Sequence, residues 1–179
     1  MSFTIETTAI PDVKLITPDV FRDERGFFME SYRADAFEEA GIATHFLQDN
    51  LSCSDKGILR GLHYQLAPYE QGKLVSVIQG RLFDVAVDIR KESPTFGQWV
   101  GYELSSDNHA MLWIPPGCAH GFLVLEDATI TAYKCTQVYD VASERSILWS
   151  DPDINIQWPS VDTLTISEKD KAGTRLISS

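Results

Sequence analysis

The chain has 179 residues, enough for one domain with a buried core, and 15 Lys and Arg residues against 26 Asp and Glu residues give it a net charge of −11. This diffuse negative charge argues against nucleic acid or an anionic membrane as a partner, because phosphate binding needs clustered positive charge. No stretch approaches the roughly 20 apolar residues of a membrane span, and the N-terminus lacks the basic and apolar regions of a signal peptide.

The first 50 residues are predicted to form an extension of the main fold. They contain strand patterns near residues 13–16 and 26–32. Residues 33–40 favour a short helix, and Gly41 is placed to end it.

From residue 58 to about residue 150, alternating apolar residues predict a series of short strands separated by Gly and Pro. One such strand places four apolar side chains on a common face: Phe83, Val85, Val87 and Ile89. Closer to the C-terminus, Ser167 has the position of an N-cap for a short helix in which Asp170 is the third residue.

The cysteines indicate a reducing compartment. They are odd in number and lack CxxC spacing: Cys53, Cys118 and Cys135. Reduced thiols in a cytoplasmic protein fit this pattern better than a disulfide framework does.

The segment 115–120, which reads PPGCAH, matches the PxGxxH element of the second cupin motif. Metal-binding cupins pair this histidine with an HxH on an earlier strand, but here that strand has His63 and then Gln65, whose amide is a poor transition-metal ligand. The ammonium group of Lys73, in the same pocket, would repel a divalent metal ion. Only two histidines remain as ligands, His63 and His120, whereas a typical site has three protein ligands. We therefore predict a site without metal. The other histidines are expected on the surface: His45 and His109.

These patterns predict a mainly β protein, a double-stranded β-helix or jelly-roll (cupin-like) barrel with an N-terminal strand extension and short helices. Alternation alone equally allows a plain sandwich. We expect a single domain over residues 1–179, divided into the extension 1–50, the barrel core 51–150 and a C-terminal segment 151–179.

The polar residues of the barrel suggest proton transfer next to a ketone. His63 can act as a general base near neutral pH, Lys73 can stabilise an enolate oxygen, and Tyr133 can return a proton from the opposite side. Each residue alone is more often structural, since a strand tyrosine usually packs and a strand histidine usually makes a fixed hydrogen bond. Strict alternation puts Arg60 on the face opposite His63, so a bulge at Gly61 is needed to bring both into one pocket.

Longer strings make the sequence similar to the dTDP-4-dehydrorhamnose 3,5-epimerase family. They run in order along nearly the whole chain, and their length makes chance agreement untenable. The strings are RGFFMESY (25–32), FLQDNLS (46–52), LRGLHYQ (59–65), QGKLVSVIQGRLFDVAVDIRKESPTFGQW (71–99), LWIPPGCAHGF (112–122), AYKCTQVY (132–139), SERSILWSDPDINIQWP (143–159) and LTISEKD (164–170).

The resemblance implies a cupin-type barrel, a homodimer and no cofactor. It implies dTDP-4-dehydro-6-deoxy-D-glucose as the small-molecule substrate and dTDP-4-dehydro-L-rhamnose as the product. By resemblance His63 is the catalytic base with Asp170 as its partner, Tyr133 is the general acid, and Lys73 lies near the sugar ketone. Tyr139 matches the aromatic residue that stacks on thymine. Further residues match substrate-binding positions: Arg25, Glu30, Gln48, Asp49, Asn50, Arg60, His120, Glu144 and Lys169.

Two positions depart from the family pattern. Cys118 stands where a bulkier aromatic residue is common, and Arg145 stands where glycine is usual. If the turn at Arg145 needs a positive φ, a non-glycine residue costs roughly 1 kcal/mol and displaces Glu144.

Three other functions remain open from the sequence. A relative that inverts only one carbon would share the same base, acid and lysine. A sugar-nucleotide-binding cupin without turnover would need neither base nor acid. A metal-dependent cupin oxygenase or isomerase would contain stoichiometric bound metal.

Overall fold

The computed structural model describes residues 2–176 and is built mainly from antiparallel strands. Its strands are β1 Phe3–Thr7, β2 Lys14–Pro18, β3 Val20–Asp23, β4 Gly26–Met29, β5 Gln48–Ser54, β6 Ile58–Gln65, β7 Lys73–Gln79, β8 Arg81–Asp88, β9 Trp99–Ser105, β10 Met111–Ile114, β11 Cys118–Val124, β12 Thr129–Cys135, β13 Glu144–Ser146 and β14 Thr165–Ile166. The helices are α1 Ala34–Glu39 and α2 Glu168–Lys171. Neither helix is long or apolar enough to cross a membrane, and the described part of the chain holds no other candidate.

Two large sheets carry the fold. The first has the strand order β1-β2-β10-β7-β12-β5, and the second has the order β13-β6-β11-β8-β9, with β14 added in parallel to β6. Strands β3 and β4 form a separate hairpin. The predicted mainly β, cupin-like architecture is confirmed.

The main core lies between the two sheets. Val75 and Leu112 come from the first sheet, and Leu82 and Phe122 come from the second. Each sheet is also covered on its outer face. Phe37 of α1 belongs to an apolar cluster with residues of the first sheet, and the segment after β13 covers the second sheet.

Strand β8 shows why the second sheet is so fully buried. The apolar face predicted from its alternation packs against the segment after β13, with Val85 and Val87 fully buried. Its opposite face contributes Leu82 to the main core. Because side chains alternate along a strand, Asp84 lies on that inner face, where it is completely buried.

Both predicted helices are confirmed. Helix α1 ends before Gly41, which adopts a φ of +73°. Ser167 caps α2, since its hydroxyl accepts a hydrogen bond from the backbone N–H of Asp170 at 3.1 Å.

The N-terminal strands are more numerous than predicted, and one of the two predicted strands is shorter. The strand expected near residues 13–16 is β2, which pairs with β1 and with β10. The strand expected over 26–32 ends at Met29 and pairs only with β3. Strands β1 and β3 were not predicted, because both are short and largely exposed and show little apolar alternation.

The surface position predicted for His109 is wrong, whereas His45 is exposed as expected. The His109 ring is buried and lies 4.8 Å, between ring centroids, from Phe27 of the hairpin. Its Nε2 atom is 3.3 Å from Nη2 of Arg22. The hairpin β3–β4 therefore covers a loop that its local sequence marks as exposed.

Candidate active site

A cavity of about 410 Å³ opens between the two sheets and gathers most of the predicted site residues. The second sheet contributes Arg60, His63, His120 and Glu144 to its lining. The first sheet contributes Gln48, Asn50, Lys73 and Tyr133, and the loop after β12 contributes Tyr139.

His63 and Asp170 form a hydrogen-bonded pair at the edge of this cavity. His63 Nε2 lies 2.6 Å from Oδ1 of Asp170, whose other oxygen accepts the backbone N–H of Gly61 at 3.3 Å. Burial raises the pKa of Asp170, but the hydrogen bond from His63 and the smaller bonds from Gly61 and Ser167 outweigh it and lower that pKa overall. The ionised carboxylate holds the proton on Nε2 and leaves Nδ1 with a free lone pair, which is the form a general base needs.

The predicted bulge at Gly61 is confirmed. His63 pairs with His120 on β11, but Arg60 pairs with Phe122, so three steps along β6 match two along β11. Gly61 has a φ of +122°, and a Cβ atom there would lie 2.5 Å from the Cα of Gly121. The bulge brings Arg60 and His63 to the same cavity.

A second histidine–carboxylate pair lies beside the first and was missed by the sequence analysis. His120 Nε2 is 2.7 Å from Oδ1 of Asp84 on β8, and both side chains are buried. Burial lowers the pKa of His120, and Lys73 and His63 lower it further against the opposing effect of Asp84. The sequence does show that Asp84 is a carboxylate within an alternating apolar strand, which suggests a buried partner. It does not show that this partner is His120.

Lys73 and Tyr133 face the histidines from the other sheet. The Lys73 side chain is buried and makes no hydrogen bond or ion pair to any residue between 2 and 176, and its burial lowers its pKa. Burial raises the pKa of Tyr133, so the phenol keeps its proton at neutral pH. The Tyr133 ring lies 6.4 Å from that of His120, between centroids. The arrangement sets the histidines of one sheet against a protonated phenol and a lysine amine of the other.

At the cavity mouth, three residues form a polar chain. The Tyr139 hydroxyl donates to Oε2 of Glu144 at 2.8 Å, and Lys169 Nζ lies 2.5 Å from the other carboxylate oxygen. Burial raises the pKa of Glu144, but hydrogen bonds from Lys169 and Tyr139 lower it overall. The structure thus links Lys169 to the cavity through Glu144.

Three predicted binding residues lie away from this cavity within the chain. Arg25 is at the tip of the hairpin β3–β4, where its side chain is paired with Asp23 and lines a separate hollow. Glu30 follows the hairpin and has a buried Oε2 without a hydrogen-bond partner among the described residues. Asp49 lies on the face of β5 opposite to that of Gln48 and Asn50. Its carboxylate forms an ion pair with Nζ of Lys134 at 3.0 Å.

The two departures from the family pattern are accommodated. Cys118 is buried, and its burial raises its pKa to about 12. Arg145 lies on β13 opposite Tyr64 and does not have a positive φ, so the cost considered for a glycine position does not arise.

Residues 2–176 contain no group of three or more His, Cys, Asp or Glu side chains placed to hold a metal ion. Gln65, at the position of the second histidine of metal-binding cupins, instead hydrogen-bonds to backbone groups of two loops. The absence of a metal in the working site stays a prediction.

Known proteins resemble this chain over almost its full length. A family model described as dTDP-4-dehydrorhamnose 3,5-epimerase matches residues 7–178. The dTDP-4-dehydrorhamnose 3,5-epimerase of Shigella flexneri is 57% identical over 171 residues, which cover 95% of this chain and 94% of that protein.

Solved structures agree with the sequence relatives. The epimerase RmlC from Legionella pneumophila, in complex with dTDP-4-keto-L-rhamnose, is 52% identical, with a TM-score of 0.94 over 98% of this chain and 94% of that one. ChmJ, a 3′-monoepimerase from Streptomyces bikiniensis in complex with dTDP-quinovose, is 31% identical, with a TM-score of 0.90 over 96% of this chain and 87% of that one.

Proposed function

The chain belongs to the dTDP-4-dehydrorhamnose 3,5-epimerase family, and we propose that it inverts carbons 3 and 5 of dTDP-4-dehydro-6-deoxy-D-glucose to give dTDP-4-dehydro-L-rhamnose. It is an isomerase. The observation that carries the mechanism is the placement of a histidine–carboxylate base on one sheet and of Tyr133 with Lys73 on the opposing sheet of one cavity.

Proton removal is assigned to His63. Its Nδ1 atom takes the hydrogen from a carbon next to the ketone, while Asp170 stabilises the resulting imidazolium through Nε2. The electron pair of the broken C–H bond moves into the ring and leaves negative charge on the ketone oxygen. Lys73, which has no protein partner between residues 2 and 176, donates a hydrogen bond to that oxygen.

Tyr133 completes the inversion from the other side. Its raised pKa keeps the phenolic proton available at neutral pH, and it delivers that proton to the face opposite His63. The enolate collapses to the ketone with inverted configuration. The ketone at carbon 4 acidifies the hydrogens on both neighbouring carbons. The same three groups serve carbon 3 and carbon 5 once His63 has released its proton to water and Tyr133 has taken one up.

The remaining cavity residues hold the nucleotide. Arg60 presents a guanidinium fork that suits diphosphate oxygens, and it is oriented by two hydrogen bonds to the hydroxyl of Ser54, at 3.2 and 3.0 Å. Tyr139 is half exposed at the cavity mouth and offers a face for the thymine ring. Gln48 and Asn50 supply amides on the same side of the cavity.

A homodimer accounts for the residues that lie away from the cavity. The hairpin that carries Arg25 exposes Phe28 to 61%, and the edge strand β5 exposes Leu51 to 71%. Exposed apolar side chains on a hairpin and on an open sheet edge favour association with another chain. We propose that the hairpin of one copy lies at the cavity of the other, so that Arg25 and Glu30 contact the substrate there.

The cytoplasm is the proposed location. Cys118 and Cys135 are buried free thiols, and Cys53 is an exposed one. A reducing compartment preserves thiols of this kind.

The test is proton exchange at the sugar. The purified protein, treated with chelator, is incubated with dTDP-4-dehydro-6-deoxy-D-glucose in deuterated water, and the sugar is followed by NMR. We expect deuterium at both carbon 3 and carbon 5 without added metal, and product that a rhamnose-forming reductase accepts. Label at one carbon would identify a single-position epimerase such as the 3′-monoepimerase that shares this fold. No label with folded protein would refute the proposed activity, and activity only after metal addition would refute the metal-free site.

A further inference from the structure

Tyr139 lies in a loop whose residues 137–140 each form a backbone hydrogen bond with the side-chain amide of a glutamine. Gln71 donates to the carbonyl of Gln137 at 2.7 Å. Gln65 donates to the carbonyl of Val138 at 3.2 Å. Gln48 accepts the backbone N–H of Tyr139 at 2.8 Å, and Gln65 accepts the N–H of Asp140 at 2.8 Å. All three glutamines line the cavity.

Gln65 has the central place among these three side chains. It is the last residue of β6 and is 6% exposed. Its amide nitrogen donates to the carbonyl of Tyr69 at 2.6 Å as well as to that of Val138, and its oxygen accepts from Asp140. Both donors and the acceptor are used, so Gln65 joins the β6–β7 loop to the β12–β13 loop.

The hydrogen bonds fix the backbone on both sides of Tyr139 before any ligand arrives. The Tyr139 side chain itself is half exposed, and among the described residues its one hydrogen bond runs from its hydroxyl to Glu144. Ordering such a loop upon binding would cost conformational entropy that lowers ligand affinity. A loop that is already ordered avoids this cost.

We propose that Gln65 is a positioning residue that pre-orders residues 137–140 and thereby presents Tyr139 to the nucleotide base of the substrate. The inference rests on the proposed function, since it requires the nucleotide to bind at Tyr139. It gives Gln65, which stands where metal-binding cupins carry a histidine, a role in substrate affinity. The buried amide does not touch the substrate in this role; it acts through the loop.

The test is a double-mutant cycle on dTDP binding, measured by titration calorimetry. Gln65→Ala is expected to weaken dTDP binding about tenfold, the effect of losing one or two net hydrogen bonds, while kcat at saturating substrate changes less than about threefold. In a Tyr139→Ala background the same substitution is expected to change dTDP affinity less than about twofold, because the loop no longer presents a stacking ring. Gln79→Ala is the matched control, since Gln79 donates to the carbonyl of Ala128 outside the cavity.

A merely structural role predicts a different pattern. Equal losses of affinity with and without Tyr139, or unchanged affinity in the single variant, would overturn the inference. Gln65→Glu is measured in parallel in case the alanine variant does not fold. It keeps the acceptor for Asp140 but sets an anion against two carbonyls, and the same dependence on Tyr139 is expected. Failure of the unsubstituted protein to bind dTDP would instead count against the proposed function, so the two failures are distinguishable.

Discussion

Two histidine–carboxylate pairs stand on neighbouring strands of one sheet, and their surroundings differ. His63 and His120 are cross-strand partners, with Nε2–Oδ1 distances of 2.6 and 2.7 Å to Asp170 and Asp84. The His63 side chain is 29% exposed, whereas that of His120 is 6% exposed and its Asp84 partner is fully buried. Such a ring can exchange protons where it is accessible, and it becomes a neutral, fixed part of the cavity wall where burial lowers its pKa, as for His120.

The strongest way to test this contrast is to remove the accessible ring. His63→Ala is expected to lower kcat about 10³-fold, because it removes the general base of the proposed mechanism. The loss of stability should be smaller than for the buried pair, since the His63 side chain is 29% exposed and Asp170 keeps its hydrogen bond from Gly61. Steady-state kinetics together with a thermal melt checks both statements, and activity within tenfold of normal would remove His63 from the mechanism.

The buried pair should respond in the opposite way. His120→Ala leaves Asp84 without its hydrogen-bond donor, and its other oxygen already has no partner among the described residues. Loss of one member of a buried pair costs about 3 kcal/mol, so the free energy of unfolding in urea should fall by about that amount. His45→Ala, at an exposed position, is the control. A loss as small as that of the control would show that Asp84 does not depend on His120.

Replacing Asp170, the carboxylate of the accessible pair, should lower kcat less than removing His63 does. Asp170→Asn is expected to reduce kcat about 10²-fold, because an amide neither holds the imidazole in the required tautomer nor stabilises the imidazolium. The Michaelis constant should change only a few-fold. Asp84→Asn is the comparison, and a larger loss of kcat in that variant than in Asp170→Asn would reverse the roles given to the two pairs.

The smallest effect is a dependence of stability on pH. Burial, with Lys73 and His63, lowers the pKa of His120 below its ordinary value of 6.5. As the pH falls through about 6.5, the His120 imidazole is protonated in the unfolded chain but stays neutral in the folded chain. The free energy of unfolding should therefore decrease as the pH falls below about 7. Urea curves at pH 8, 7 and 6 should show this decrease in the unsubstituted protein and a shallower one in His120→Gln. Identical slopes would contradict it.

Features with a local cause could be predicted from the sequence. The caps at Gly41 and Ser167 follow from residue chemistry within one helical turn. The bulge at Gly61 was predicted because strict alternation would put Arg60 and His63 on opposite faces of the strand, whereas both are needed in one cavity. The register shift between β6 and β11 confirms it.

Features that depend on distant partners could not be predicted in the same way. Asp84 is separated from His120 by 36 residues, and Gln65 is separated from the loop it binds by more than 70. No local pattern distinguishes a glutamine that holds a distant loop from one that simply replaces a metal ligand. His109 was misjudged for the same reason, since the hairpin that buries it lies over 80 residues earlier in the chain.

The pair His63–Asp170 spans 107 residues, and this separation bears on the order of events as the chain folds. Asp170 lies on α2, which follows β14, and within residues 2–176 β14 pairs with β6 alone. The contact is long-range, so closing it must wait for β6 to take its place among its neighbours. We therefore expect catalytic competence to be acquired at the last stage of folding, after the core between the sheets has formed, so that a partly folded chain with an intact core has no activity.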